Sequence, residues 1–206
     1  MRNTKFSLNV KNARTVGGAS YITTSGAYIG KITAARIYDT PKGATMLALD
    51  FESNDGEKAH MQTCIYKDDG TETFARAILD SLMTVFRLRD LEAVQGKYRD
   101  KQGKEQTGYF FRELMNKPVG LLIQAAPEEY LQGGVIRNMV RLNLLTPFDA
   151  NTRQNAAEIL DNAEAKAVDA KLKNLKDKPL KKLPPEKAAE QFEPSPSSAS
   201  YDDIPF

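Results

Sequence analysis

Tryptophan is absent from this 206-residue chain, and cysteine and histidine occur once each, as Cys64 and His60. A closed structural zinc site takes about four ligands of these types, so the count excludes one, and a single cysteine excludes a disulfide framework. No run of about 18 apolar residues occurs, which excludes a hydrophobic membrane-spanning helix. The opening residues, Met1-Arg2-Asn3-Thr4-Lys5-Phe6, are basic with no apolar stretch behind them. No secretory signal is therefore expected, and a cytoplasmic location is (the host cytoplasm for a viral protein). Also missing are a nucleophile motif, a Gly-rich phosphate loop after a strand, and a helical His-Glu-x-x-His. Carboxylates are scattered rather than clustered. The expectation is a non-enzymatic protein with no cofactor and no metal.

What is present divides into two parts. Hydrophobic residues make up 41% of the chain and charged residues 27%, enough for a packed core and a soluble surface. Residues 1–149 have the character of a folded domain, and residues 150–206 do not. From Thr152 to Lys176 the chain is rich in Ala, Lys, Glu and Asp. Ile159, Leu160, Ala163, Ala167 and Ala170 give only a thin apolar stripe, so this segment reads as a marginal helix that could dock on the body. After Pro179 come Pro184-Pro185, Pro194, Pro196 and a Ser-rich run. That composition buries too little to offset the entropy of ordering, and disorder is expected.

Charge separates along the same division. Residues 183–206 carry Lys187 against Glu186, Glu190, Glu193, Asp202 and Asp203, a net of −4. With a whole-chain charge of +2, the first 182 residues carry +6. A basic body with an acidic end can compete weakly with itself for a polyanion.

Within the first part, hydrophobic periodicity predicts mainly β structure. Tyr28 to Tyr38 is rich in β-branched and aromatic residues, and Asp39-Thr40-Pro41-Lys42-Gly43 reads as a turn. Leu47, Leu49 and Phe51 alternate with polar or small neighbours, and Asn54-Asp55-Gly56 is a strong hairpin signal. Ala59 to Tyr66 is the returning strand. Thr71 or Thr73 can cap a helix running to about Leu88, with Phe74, Ile78, Leu82, Val85 and Phe86 on one face. Val119–Ala125 and Asn138–Leu145 read as two further strands, with Gly133-Gly134 between them. Phe6, Leu8 and Val10 suit an added edge strand. The order β-β-β-α-β-β is that of the five-stranded OB-fold barrel.

Single-stranded nucleic acid is held by basic grooves and by aromatic faces on which bases stack. One stretch with that mixture lies between the helix and the fourth strand. It offers Lys97, Tyr98, Arg99, Lys101, Lys104, Tyr109 and Arg112, on a hairpin or loop. OB barrels bind across strands two and three and the adjoining loops. That nominates Arg36, Tyr38 and Lys42 near the first strand, His60, Tyr66 and Lys67 on or after the third, and Arg141 in the last. His60 and Cys64, four apart on a strand, share a side but lack further His or Cys ligands.

The final residues carry the most specific pattern. Asp202-Asp203-Ile204-Pro205-Phe206 places two carboxylates before an apolar anchor at a free carboxyl end, which suits a hydrophobic pocket rimmed by Lys or Arg. This tip resembles that of the bacterial single-stranded DNA-binding protein family, whose members commonly end in an acidic run followed by Ile-Pro-Phe. The body departs from that family, having no Trp. It is more similar to the single-stranded DNA-binding proteins of tailed phages, through Gly26-Ala27-Tyr28-Ile29-Gly30-Lys31-Ile32 and Gly120-Leu121-Leu122-Ile123-Gln124. The resemblance implies single-stranded DNA binding in replication, recombination or repair, with partner proteins recruited by residues 202–206. Two alternatives are an interaction protein that mimics the tip to engage host replication enzymes, and a phage recombination nuclease with a recruitment tail. A single barrel gives a short site, which leaves monomer and homodimer both open.

Overall fold

The computed structural model describes residues 20–99 and 103–184. The edge strand expected around Phe6–Val10, Lys101 and the tip Asp202–Phe206 lie outside the described residues.

The expected meander is present. β1 (Gly26–Asp39), β2 (Thr45–Ser53) and β3 (Lys58–Tyr66) pair antiparallel in sequence order. The β2–β3 turn is the Asn54-Asp55-Gly56 segment, where Gly56 takes φ +80°, a left-handed conformation that costs glycine little. A helix, α1 (Phe74–Val85), follows, and Thr73 is its cap: the Thr73 hydroxyl accepts the Ala75 N–H. Such a cap contributes about 1 kcal/mol. Then come β4 (Val94–Arg99), β5 (Glu105–Phe110), a one-turn 3-10 helix at Arg112–Leu114, β6 (Pro118–Gln132) and β7 (Val135–Phe148). The β6–β7 ladder runs to its tip because Gly133 and Gly134 both take positive φ, as a two-residue primed turn requires.

β1 organises everything else. One of its edges pairs with β2 from Gly30 to Asp39. Its other edge is shared: Gly26–Lys31 pairs with β6, and Arg36–Ile37 pairs with β5. Seven strands thus form one antiparallel sheet among the described residues. The expected five-stranded barrel is matched in its mainly β character and differs on two points. The β4–β5 hairpin adds two strands, because the second half of β1 has an edge that β6 leaves unpaired. The sheet is also open, since β7 hydrogen-bonds to β6 alone among the described strands. Between β3 and β7 stand side chains instead, among them Leu49, Met61, Ile78 from α1 and Leu142.

The core lies inside this curved sheet. Ile32, Leu47, Phe51, Ile65, Leu82, Leu121 and Ile123 are fully buried there. Each such side chain contributes roughly 1.5–3 kcal/mol of transfer free energy. Phe74 is a correction to the expected helix face: it is 81% exposed, and Ala75 and Leu79 are buried with Ile78, Leu82 and Val85 instead. At 100° per residue, Phe74 falls at the rim of the arc centred on Ile78 and Leu82.

Packing does not stop at residue 149. The expected single helix over 152–176 is two short ones, α2 (Ala156–Leu160) and α3 (Ala167–Asn174). Leu160 is exposed and Val168 is the buried residue. Glu158 joins the two helices: its carboxylate accepts N–H bonds from Asn155, Lys166 and Ala167. These N–H donors outweigh the opposing effect of burial and hold the carboxyl below its ordinary range. The segment covers the outer face of the β6–β7 pair, where the Arg153 guanidinium lies over the Phe148 ring at 5.4 Å and Lys171 donates to Thr146. A strap then runs along β6. Lys178 and Lys181 donate backbone N–H bonds to the carbonyls of Ala125 and Pro127. Asp177 accepts the Ser25 N–H at 2.7 Å. Docked structure therefore reaches Leu183, whose N–H is held by Glu129.

Candidate nucleic-acid interface

Four tyrosines meet on one groove. Tyr38 is the penultimate residue of β1, Tyr66 closes β3, Tyr98 comes from β4 and Tyr109 from β5. With Arg36, Ile37, Asp39, Thr45, Thr107 and Gly108 they line a concavity of about 550 Å³. These residues are scattered over 74 positions of sequence. They meet because β5 docks on the same half of β1 that carries Arg36 and Tyr38, with Ile37 directly opposite Tyr109.

Two glycines shape the wall. Gly96 and Gly108 face each other across the β4–β5 ladder. A Cβ at Gly108 would stand 3.1 Å from the Tyr98 ring, and one at Gly96 3.0 Å from the Phe110 ring. The bare backbone leaves room for each ring to approach the hairpin closely, as aromatic side chains do across from strand glycines. Tyr98 and Phe110 meet edge to face, with centroids 6.1 Å apart. The Arg36 guanidinium sits 4.4 Å from the Tyr98 ring centroid. That cation–π contact is worth about 0.5–1 kcal/mol at a solvent-facing site. Tyr38 and Tyr109 offer their rings outward, Tyr109 being 53% exposed.

The Tyr66 end is anchored from α1. Arg76 Nε donates to the Tyr66 hydroxyl at 3.3 Å, and its guanidinium pairs with Asp80. Burial opposes the Arg76 charge, but the bonds to Tyr66 and Asp80 outweigh it and raise the guanidinium above its ordinary value.

Of the residues nominated from sequence, Arg36, Tyr38, Tyr66, Tyr98 and Tyr109 line this groove. Lys42 and Lys67 stand beside it on neighbouring turns: a Cβ at Gly43 would lie 3.7 Å from Asp68. Arg99 and Lys104 are exposed at the tip of the β4–β5 hairpin. Lys97 and Arg112 line a separate hollow with Met115 and Asn116, and Lys97 is paired with Glu105 at 2.7 Å. His60 is six residues from Tyr66 on β3, roughly 20 Å at about 3.3 Å per residue. Its Nδ1 lies 2.5 Å from Asp50 Oδ1 on β2. Arg141 lies along the β6–β7 hairpin, held by Glu128 Oε1 at 2.7 and 3.0 Å. These last four do not join the tyrosine groove.

Asp39, Thr45 and Thr107 line the groove and were not nominated from sequence. Asp39 read only as the start of a turn. Among the described residues, no group of three His, Cys, Asp or Glu is placed to hold a metal ion, and no helix is long and apolar enough to cross a membrane. Comparison of the chain with protein-family models and with curated proteins finds no match.

Proposed function

We propose that the chain is a single-stranded DNA-binding protein that coats unpaired strands with little overall sequence preference. The observation that carries this reading is the convergence of Tyr38, Tyr66, Tyr98 and Tyr109 on one groove with Arg36. Every base has a face to stack, and base–aromatic stacking is worth about 1–3 kcal/mol per base. Lys42, Lys67, Arg99 and Lys104 flank the groove at its two ends and supply phosphate contacts.

The strand path supports an OB-type barrel as the scaffold. Read in the order β3-β2-β1-β6-β7, with α1 between β3 and β6, it is the OB element order with the β4–β5 hairpin inserted. Barrels of this type are partly open, and α1 sits at the opening between β3 and β7. The groove then falls at the loop joining the first two strands, where such barrels bind.

The tip Asp202-Asp203-Ile204-Pro205-Phe206 recruits replication, recombination or repair proteins in this reading, and the phage relationship rests on the resemblances given above.

An electrophoretic shift on oligo-dT tests it, with duplex DNA of equal length alongside at two salt concentrations. Binding to the single strand that weakens steeply with salt is expected. A protein that ignores oligo-dT at low ionic strength overturns the proposal.

A further inference from the structure

A groove built for a polyanion has little use for a carboxylate, yet Asp39 lines this one. Its Oδ1 accepts the Thr45 hydroxyl at 2.7 Å, and both residues are in register across β1 and β2. Among the described residues no Lys or Arg forms an ion pair with it. Asp39 is exposed, at the strand end beside Tyr38. A phosphate threaded past this point meets like charge, worth about 1 kcal/mol of repulsion at 4 Å even in water. On the strand-binding reading, a base edge suits this point better than the phosphate backbone does.

We propose that Asp39 makes this end of the groove a guanine-preferring subsite. The inference rests on the strand-binding reading above. A carboxylate accepts at both oxygens and has lone pairs left after the Thr45 bond. It is best satisfied by two parallel N–H groups, the geometry that makes bidentate pairs strong. Guanine presents that pair on its pairing edge, N1–H beside the N2 amino group. Cytosine and adenine each present one amino group next to a bare ring nitrogen, whose lone pair would face the second carboxylate oxygen. Thymine presents N3–H between two carbonyls. In an unpaired strand this edge is open to the protein. Tyr109 pairs with Ile37, which shares a face of β1 with Asp39, so a base stacked on Tyr109 would turn its edge within the same groove toward Asp39. The thymine-tolerant stacking surface and the guanine-preferring acceptor thus occupy one site.

The test uses the full chain and short oligonucleotides of about nine thymidines, carrying at the centre thymidine, a single guanosine or a single inosine. One guanosine per strand avoids quadruplex formation, and inosine removes only the N2 amino group. The guanosine strand is expected to bind about tenfold more tightly than all-thymidine, with most of that gain lost for inosine. Asp39→Asn, which takes a negative charge out of the groove, is expected to abolish the guanosine gain and to raise oligo-dT affinity. Equal affinity of the wild-type protein for guanosine and thymidine strands overturns the subsite and leaves strand binding standing. A guanosine preference that survives in Asp39→Asn shows that another residue reads the base. No binding of any of the three strands overturns the underlying function itself.

Discussion

Two hairpins dock on the same edge of β1 and are used in opposite ways. β6–β7 pairs with Gly26–Lys31 and is buried on both faces there: Val119, Leu121, Leu122 and Ile123 have no exposed surface. β4–β5 reaches β1 at Arg36–Ile37 only, and its residues alternate between half-buried and exposed up to Phe110. The first hairpin is apolar on one face for the core and on the other for the C-terminal segment. The second buries Phe110 but keeps its tyrosine rings toward the surface. One strand edge thus supports a structural half and a candidate binding half, and a change in one should be felt little in the other.

The strongest way to break that separation is to crowd the structural half. A Cβ at Gly120 would stand 2.0 Å from the Phe148 ring, which is fully buried. Gly120→Ala is expected to cost about 3 kcal/mol, the upper part of the range for overpacked cores. Chemical denaturation reads this, and an unchanged midpoint would show that the Phe148 ring moves aside freely.

The binding half should respond in the reverse manner. Tyr38→Ala and Tyr109→Ala remove exposed rings, so each should leave the denaturation midpoint nearly unchanged. Each should weaken oligo-dT binding about tenfold, the lower part of the stacking range. A stability loss without an affinity loss would transfer these residues to the structural side.

A smaller effect concerns the strap. Bonds from the Ser25 side chain and backbone hold the Asp177 carboxyl below its ordinary value. A lowered folded pKa means the contribution is complete above the unfolded carboxylate value, near 4, and is lost as pH falls through the folded one. Protection of the Lys178 and Lys181 amides against hydrogen exchange, relative to the intrinsic rate at each pH, should therefore fall in acid before the β1–β6 ladder opens. Simultaneous opening of strap and ladder would show that the strap is an integral strand rather than a docked one.

The local elements were legible because their signals are local. Thr73 as a cap, the turn at Asn54-Asp55-Gly56 and the alternation of Leu47, Leu49 and Phe51 each depend on neighbours within a few residues. The length of β6 and β7 was underestimated: the expected strands stopped at Ala125 and resumed at Asn138, while the Gly133-Gly134 turn keeps the ladder in register to Gln132 and Val135. The marginal helix expected over 152–176 is two short helices, and the docking of residues 150–183 depends on contacts that no local pattern gives. Their composition is too poor for a core of their own, but they borrow one, covering Phe148 and hydrogen-bonding to Ala125 and Pro127.

The candidate site was legible as residue types and not as a place. Arg36 and the tyrosines at 38, 66, 98 and 109 could be nominated from chemistry, but His60 and Arg141 qualified equally and lie elsewhere, each held by a carboxylate. Sequence alone determined the mainly β character, the turns, the helix and the inventory of rings and charges, because periodicity and turn chemistry act over a few residues. Only the tertiary structure decided that β1 divides one edge between two hairpins, and so which tyrosines meet and that Asp39 meets them. Strand pairing joins residues far apart in sequence, and no local pattern encodes which free edge a hairpin will find.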